Sequence, residues 1–301
     1  MKNKSRTRKE KQNKLLYSII VSIVILASAF WGKDNIEDTN NNPIKNQSNA
    51  SMQVHFIDVG QADSILIQSD GEAMLIDAGN NEDGTVLVNY LKDQGINKLK
   101  YVIATHPHED HIGGMDDVIN NFTVETVFMP DVTHTTKTFE DVLKAIDENH
   151  FSITIPSVGE QYEIGKAKFV VIAPNGEINE NNLNDASIGL RLVNGNNTFL
   201  MCGDAEKPSE KEMLQNGLDL SAQVYKVSHH GSNTATSDVF LKAISPEYAM
   251  IQCGENNEYG HPHKETIEKL DEMGVKVLRT DINGTIIAIS DGNTIQWITE
   301  K

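Results

Sequence analysis

Apolar positions along this chain fall into short runs at a fairly regular spacing. Residues 54–60 (VHFIDVG), 64–69 (SILIQS) and 73–79 (AMLIDAG) are rich in Ile, Val and Leu and too short for helices, so they predict strands. Asp70-Gly71, between the second and third runs, is a pair favoured in two-residue hairpin turns. The body therefore opens as an antiparallel meander. Residues 86–95 (VLVNYLKDQG) then predict a helix ending at Gly95, and 99–106 (LKYVIATH) a buried strand. A short helix, a strand over 124–130 and a helix over 138–150 follow, the last on the apolar spacing of Phe139, Leu143 and Ile146.

The second half repeats this character. Strands are predicted over 167–174, 187–195 and 198–204, the last two joined by a turn at or near Asn194-Gly195. A helix ending at Gly217 precedes a strand over 222–230, a helix over 239–246 and a strand over 248–254. A helix over 265–274 and strands over 275–280 and 284–290 close the chain. Each half runs strands first and then alternates strand with helix. This order predicts an α/β fold, an αββα four-layer sandwich of two mixed sheets with helices outside.

The 301 residues carry a net charge of −17, unevenly spread. Residues 1–14 hold seven Lys/Arg and one Glu, or +6, which leaves −23 (−17 minus +6) on the remainder. An acidic body argues against broad, sequence-independent DNA binding, which leans on basic patches. The basic start leads into an apolar run, LLYSIIVSIVILASAFW at 15–31. Basic flank and apolar core fit either a membrane anchor or a signal peptide cleaved after Ala29 in the Ala27-Ser28-Ala29 segment. Both readings put the body outside the cytoplasm, extracellular or anchored on the outer membrane face. Residues 32–51 are Asn-rich and nearly free of apolar side chains, so they are expected to form a disordered linker. The folded domain is then 52–301. The two cysteines, Cys202 and Cys253, sit in apolar runs and are read as buried thiols without a bond.

Polar clusters follow the predicted strands. His106, His108, Glu109, Asp110 and His111 crowd the segment THPHEDHIGG; Asp204 follows FLMCG; His229 and His230 follow VYKVS; His261 and His263 follow YAMIQCG. Gathering imidazoles and carboxylates on one rim is costly unless a cation holds them, and these are the usual ligands of zinc, manganese or iron. In an extended H-x-H segment the two side chains share a side, so His106 and His108 would serve one ion. Asp110 and His111 would point differently and could serve a second. The crowding thus predicts two divalent transition-metal ions close enough to share a hydroxide and clamp a phosphoryl or acyl oxygen.

H-P-H-E-D-H resembles the H-x-H-x-D-H signature of the metallo-β-lactamase fold hydrolases. DVGQADSILI, LIDAG, NDASIGLRL, CGDAE, VSHHGS, YGHPH and RTDINGTI, spread over about 52–295, resemble the C-terminal hydrolase domain of the ComEC family of DNA-uptake proteins, here without that family's polytopic channel. The resemblance implies that His106 and His108 bind one ion, Asp110 and His111 the other, and that Asp204 bridges them. Many members of the fold supply one more histidine before the bridging aspartate. Here NDASIGLRL has none, so either Asn184, Asp185 or Ser187 stands in or the first ion is held more loosely, and more oxygen ligands would favour Mn²⁺ over Zn²⁺. The last ligand comes from His229, His230, His261 or His263. We assign it to His261, which follows a strand, and assign proton donation to His230, which precedes a helix. Asp77 either orients a ligand imidazole from behind or caps a turn. Asp58, Gln61 and Asp63 either serve the site or hold a turn around Gly60. His55, His134 and His150 carry no motif and are read as ordinary core or surface residues.

Three functions compete. The first is an exported metal-dependent phosphodiesterase acting on nucleic acid, in which a metal-bridging hydroxide attacks phosphorus. The second is a hydrolase of small esters, lactones or phosphodiesters. The third is a non-catalytic, membrane-tethered subunit, against which the intact H-P-H-E-D-H and GDAE segments count. Nothing in the sequence calls for an obligate protein partner.

Overall fold

The computed structural model describes residues 51–301 apart from 177 and 180. The apolar run at 15–31 and all but the last residue of the linker lie outside the described residues. Within them, no helix is long and apolar enough to cross a membrane.

Fifteen strands build two sheets among the described residues. They are β1 (Met52–Phe56), β2 (Ile65–Ser69), β3 (Glu72–Ile76), β4 (Lys98–Ile103), β5 (Thr123–Phe128), β6 (Ile153–Thr154), β7 (Gln161–Ile164), β8 (Ala167–Ala173), β9 (Gly189–Asn194), β10 (Asn197–Met201), β11 (Val224–Lys226), β12 (Tyr248–Ile251), β13 (Lys276–Arg279), β14 (Ile286–Ser290) and β15 (Ile295–Thr299). The first sheet runs β15-β14-β1-β2-β3-β4-β5-β6 and the second β13-β12-β11-β10-β9-β8-β7. Both are mixed. The opening meander β1–β3 is antiparallel, with Asp70 and Gly71 at positive φ in the turn that pairs Ser69 with Glu72. From β3 to β6, and from β10 to β13, the strands are parallel.

Alternation along the strands explains the layers. Val54, Phe56, Ile65, Ile67 and Met74 of the first sheet pack against Phe169, Leu190, Leu192, Phe199 and Met201 of the second. The opposite faces are covered by helices. Leu66, Leu75 and Val102 meet α1 (Gly84–Asp93), which precedes a short turn α2 (Glu109–Ile112), and α3 (Met115–Asn121) and α4 (Lys137–Glu148), which follow that turn. Leu200, Tyr225 and Ile251 meet α5 (Lys207–Gln215), α6 (Asp238–Ile244) and α7 (Lys264–Glu272). A last turn, α8, spans Thr280–Asn283. This is the αββα arrangement that the sequence predicts. Both cysteines are buried free thiols in the second helix-covered layer.

Three details differ from the sequence reading. In α4 the buried apolar positions are Phe139, Val142, Ala145 and Ile146, while Leu143 is 37% exposed. The chain's final hairpin, β14–β15, returns to the first sheet, where β14 pairs with β1. The short strands β6 and β7 and the terminal β15 carry no strong apolar run and were not expected.

Candidate metal centre

The centre is built where β3, β4, β10, β11 and β12 end on a common rim. Asp77 follows β3 in a left-handed conformation (φ 57°). Its carboxylate accepts from the Thr105 backbone N–H at 2.8 Å and the Thr105 hydroxyl at 2.7 Å, which fixes the exit of β4. It also accepts from His111 Nδ1 at 2.8 Å. That bond holds the His111 ring with Nε2 facing inward, 3.2 Å from Asp204 Oδ2 and 3.7 Å from Asp110 Oδ2. The turn α2 carries Asp110 and His111. It can sit this close because of the glycines that follow: a Cβ on Gly113 would fall 2.2 Å from the Asn80 carbonyl carbon.

His106 and His108 lie on one side of their segment, with His106 Nε2 3.0 Å from His108 Nδ1. His106 Nδ1 sits 3.2 Å from the Thr105 hydroxyl and 3.3 Å from that of Ser187, while the Ser187 hydroxyl accepts from the Asp204 N–H at 3.1 Å. Gly203 makes this approach possible: it has φ 51°, and a Cβ there would meet Thr105 Oγ1 at 2.8 Å. Burial drives the His106 pKa well below the ordinary imidazole value, so its ring is neutral, the form that binds a metal.

The VSHHGS segment is strained. His229 and His230 both adopt left-handed backbone angles (φ 52° each), and Gly231 follows at φ 85°. The turn sends the two imidazoles in different directions. His230 Nδ1 donates to the Gln252 carbonyl at 3.0 Å and lies 3.3 Å from Asp63 Oδ1. Its Nε2 reaches 3.2 Å from Asp110 and 3.5 Å from Asp204. His229 Nδ1 lies 3.2 Å from Glu206 and 3.0 Å from the Thr234 hydroxyl, and its Nε2 is 3.7 Å from Asp204. The hydrogen bond from His229 lowers the Glu206 pKa to about 2.

Asp110, His111, Asp204 and His230 each offer one donor atom, all within 4.8 Å of one another. His111 Nε2, His230 Nε2 and Asp204 Oδ1 are buried without a hydrogen-bond partner. Burial opposes charge on His111 and His230, yet the surrounding carboxylates outweigh it and hold both pKa values well above the usual imidazole range. A site that draws protons onto two buried imidazoles is a site that favours cations, and the inward nitrogens are orphaned unless something binds them. The donor set therefore fits a divalent metal. Asp63, Asp77 and His111 also gather within 4.8 Å. There, however, Lys226 Nζ already neutralises Asp63, and His111 Nδ1 is bonded to Asp77, so this second group orients the first.

The remaining candidates are placed as follows. His261 lies outside the quartet: its Nδ1 accepts from the Gln61 amide at 3.2 Å, and its ring centroid is 6.1 Å from that of His230. His263 caps α7 and its Nδ1 accepts from the Asn233 N–H at 2.9 Å. Asp185 accepts from the backbone of Glu206 at 3.0 Å and so braces the loop. Asn184 Oδ1 is buried without a partner and lines the same cleft as His108, Asp110, Asp204, His229, His230 and His261. That cleft holds about 840 Å³. Sequence reasoning passed over His134, which lines the cleft with its ring 6.0 Å from His108, and Lys226, which is hidden inside an apolar run.

Residues 57–255 match the model of the metallo-β-lactamase superfamily. The chain belongs to that superfamily. Among curated relatives, the ComE operon protein 3 of Bacillus subtilis is 31% identical over 252 residues, which cover 78% of this chain and 32% of that protein. The competence protein ComA of Neisseria gonorrhoeae is 29% identical over 236 residues, or 76% of this chain and 31% of that protein. The chain thus spans about a third of the length of these relatives. Among solved structures, a metallo hydrolase from Ignicoccus hospitalis, Igni18, superposes with a TM-score of 0.53 at 15% identity, covering 78% of this chain and 98% of that one. This shares the fold. Superfamily membership and the donor set together describe a metallo-hydrolase related to the ComEC competence proteins.

Proposed function

We propose that this metallo-β-lactamase fold protein is an exported, metal-dependent phosphodiesterase that cuts nucleic acid. The observation that carries the reading is the quartet of Asp110, His111, Asp204 and His230, with its orphaned inward atoms on the floor of an open cleft. In this proposal His106 and His108, helped by Asn184 or Ser187, would hold one ion. Asp110, His111 and His230 would hold the second, with Asp204 available as a further ligand. Two divalent ions, Zn²⁺ or Mn²⁺, would supply Lewis acidity and an activated water at neutral pH.

The chain's own residues do the rest. Asp77 and the Gln252 carbonyl each accept from a histidine Nδ1, so His111 and His230 present bare Nε2 atoms. On this reading the ligand role goes to His230, which reaches Asp110 and Asp204, in place of His261, the position chosen from the sequence. Proton donation passes to His229, whose Nδ1 is held by Glu206 while the ring faces the cleft. The relation to competence proteins supports a nucleic-acid substrate, and the apolar run at 15–31 supports export. One observation favours a smaller substrate: no Lys or Arg lines the cleft among the described residues, whereas Asp58, Glu82, Asp83 and Glu109 do. The Vibrio cholerae hydroxyacylglutathione hydrolase, 25% identical over 225 residues, is a relative named for a small-molecule reaction.

Purified protein loaded with Mn²⁺ or Zn²⁺ is to be assayed on single-stranded DNA, bis-p-nitrophenyl phosphate and simple thioesters. Cleavage of both phosphodiesters is expected. Thioester turnover without phosphodiester cleavage would replace this reading by the small-ester one. For location, external protease on intact cells is expected to remove the body while cytoplasmic markers survive.

A further inference from the structure

Tyr259 stands at the mouth of the cleft with 68% of its surface exposed, and it is the one aromatic among the large exposed apolar side chains of the described residues. Its ring lies nearly parallel to that of His261, at 19° with centroids 5.6 Å apart. His261 in turn lies nearly parallel to His230, at 22° and 6.1 Å. Three rings therefore step from solvent to the metal quartet.

The middle ring is locked in place. The Gln61 amide donates to His261 Nδ1 at 3.2 Å and accepts from the Gly254 N–H at 3.1 Å. Asn257 accepts from the His261 N–H at 2.9 Å and donates to the Gly254 carbonyl at 2.9 Å. His263 buttresses His261 edge-on, with centroids 4.9 Å apart. One face of Tyr259 is thus backed by a held ring, and 68% of its surface is exposed. The middle ring needs no further ordering when a planar group settles against the pair.

We propose that the Tyr259–His261 pair is a stacking shelf for the heteroaromatic base next to the scissile phosphate, which makes the substrate a nucleotide phosphodiester. This rests on the phosphodiesterase reading above. The charge of the cleft leaves stacking a part to play. Its rim is acidic, its lining carries no Lys or Arg among the described residues, and the nearby Lys301 is paired with Asp58, so lysine and arginine offer a phosphate backbone little Coulombic hold. Binding must then come from the ions and from contacts indifferent to charge. Base stacking on an aromatic ring is such a contact, and every base has a face to offer.

The test uses the metal-loaded protein and two matched pairs of probes. The first pair is the p-nitrophenyl ester of thymidine 5′-phosphate and the same ester of abasic deoxyribose 5′-phosphate, which share leaving group and sugar. The second is a fluorescent five-nucleotide thymidine strand and its abasic counterpart, read by anisotropy. The base-bearing member of each pair is expected to show a lower KM or Kd by on the order of tenfold, the size of one base–aromatic stack. Tyr259→Ala should erase that preference and Tyr259→Phe should keep it. If Tyr259→Ala retains the preference, or the abasic probes bind as tightly to the native protein, the shelf is refuted. If neither ester is cleaved, the phosphodiesterase reading is what fails, and the anisotropy pair still decides the shelf.

Discussion

Lys226→Met is the most demanding single change for this structure. Lys226 is 1% exposed, its Nζ is ion-paired with Asp63 Oδ2, and it lies 3.5 Å from the Gly203 carbonyl. Asp63 is equally buried, and its other oxygen faces His230 Nδ1 at 3.3 Å. Burial pushes the Asp63 pKa upward, but Lys226, His230 and His111 outweigh it and hold the carboxyl ionised. Methionine matches the length of the lysine stem without its charge. It would leave a buried carboxylate short of its main counter-ion, at a cost of about 3–5 kcal/mol. Against a typical total of about 5–15 kcal/mol, that is a large share. The pair Lys226→Met with Asp63→Asn removes both charges and should recover most of the loss. Urea unfolding of the metal-free protein, followed by circular dichroism at pH 7.5, gives the four corners of the cycle. The single-variant deficit should also shrink at lower pH, because an unpaired buried Asp63 takes up a proton in the folded state. A loss below about 1 kcal/mol for Lys226→Met, or a double variant no better than the sum of the singles, would refute this account of the ion pair.

Metal content separates the histidines: His230→Ala should lose bound metal by elemental analysis, whereas His261→Ala should retain it, and the opposite result would restore His261 as the ligand. His55 is buried against Tyr90, 2.8 Å from the Tyr90 hydroxyl, and burial brings its pKa down from 6.5 to about 4. The fold therefore keeps it neutral while the unfolded chain protonates below pH 6.5, so stability should fall by about 3 kcal/mol between pH 6.5 and 4 from this group. His55→Gln should flatten that decline in urea titrations across the window, and parallel pH profiles would refute the assignment. Gly113→Ala, whose Cβ would fall 2.2 Å from the Asn80 carbonyl carbon and 2.3 Å from the Asn81 nitrogen, should lower stability by about 2–4 kcal/mol. It should also displace α2 enough to reduce metal binding, and an unchanged melting temperature would show that the approach can relax.

Features that depend on neighbours in the chain were legible before any folding. Strands and helices could be read because burial repeats every two or about 3.6 residues, and the layers follow from which faces are apolar. The HPHEDH segment was legible for the same reason: four candidate ligands lie within six positions, and no folding is needed to bring them near one another. Tertiary structure decided everything that joins distant segments. His230 and His261 both follow buried strands on one rim, and nothing local says which reaches Asp110. A left-handed turn at 229–231 and the Gln61 clamp on His261 make that choice. Lys226 looks like an interruption in VYKVS, yet its partner Asp63 lies 163 positions away. The return of β14 to β1 is equally silent in the sequence. Such pairings are set by strand order and register, which emerge only when whole sheets pack, whereas side-chain periodicity is fixed by the backbone within a single turn or pleat.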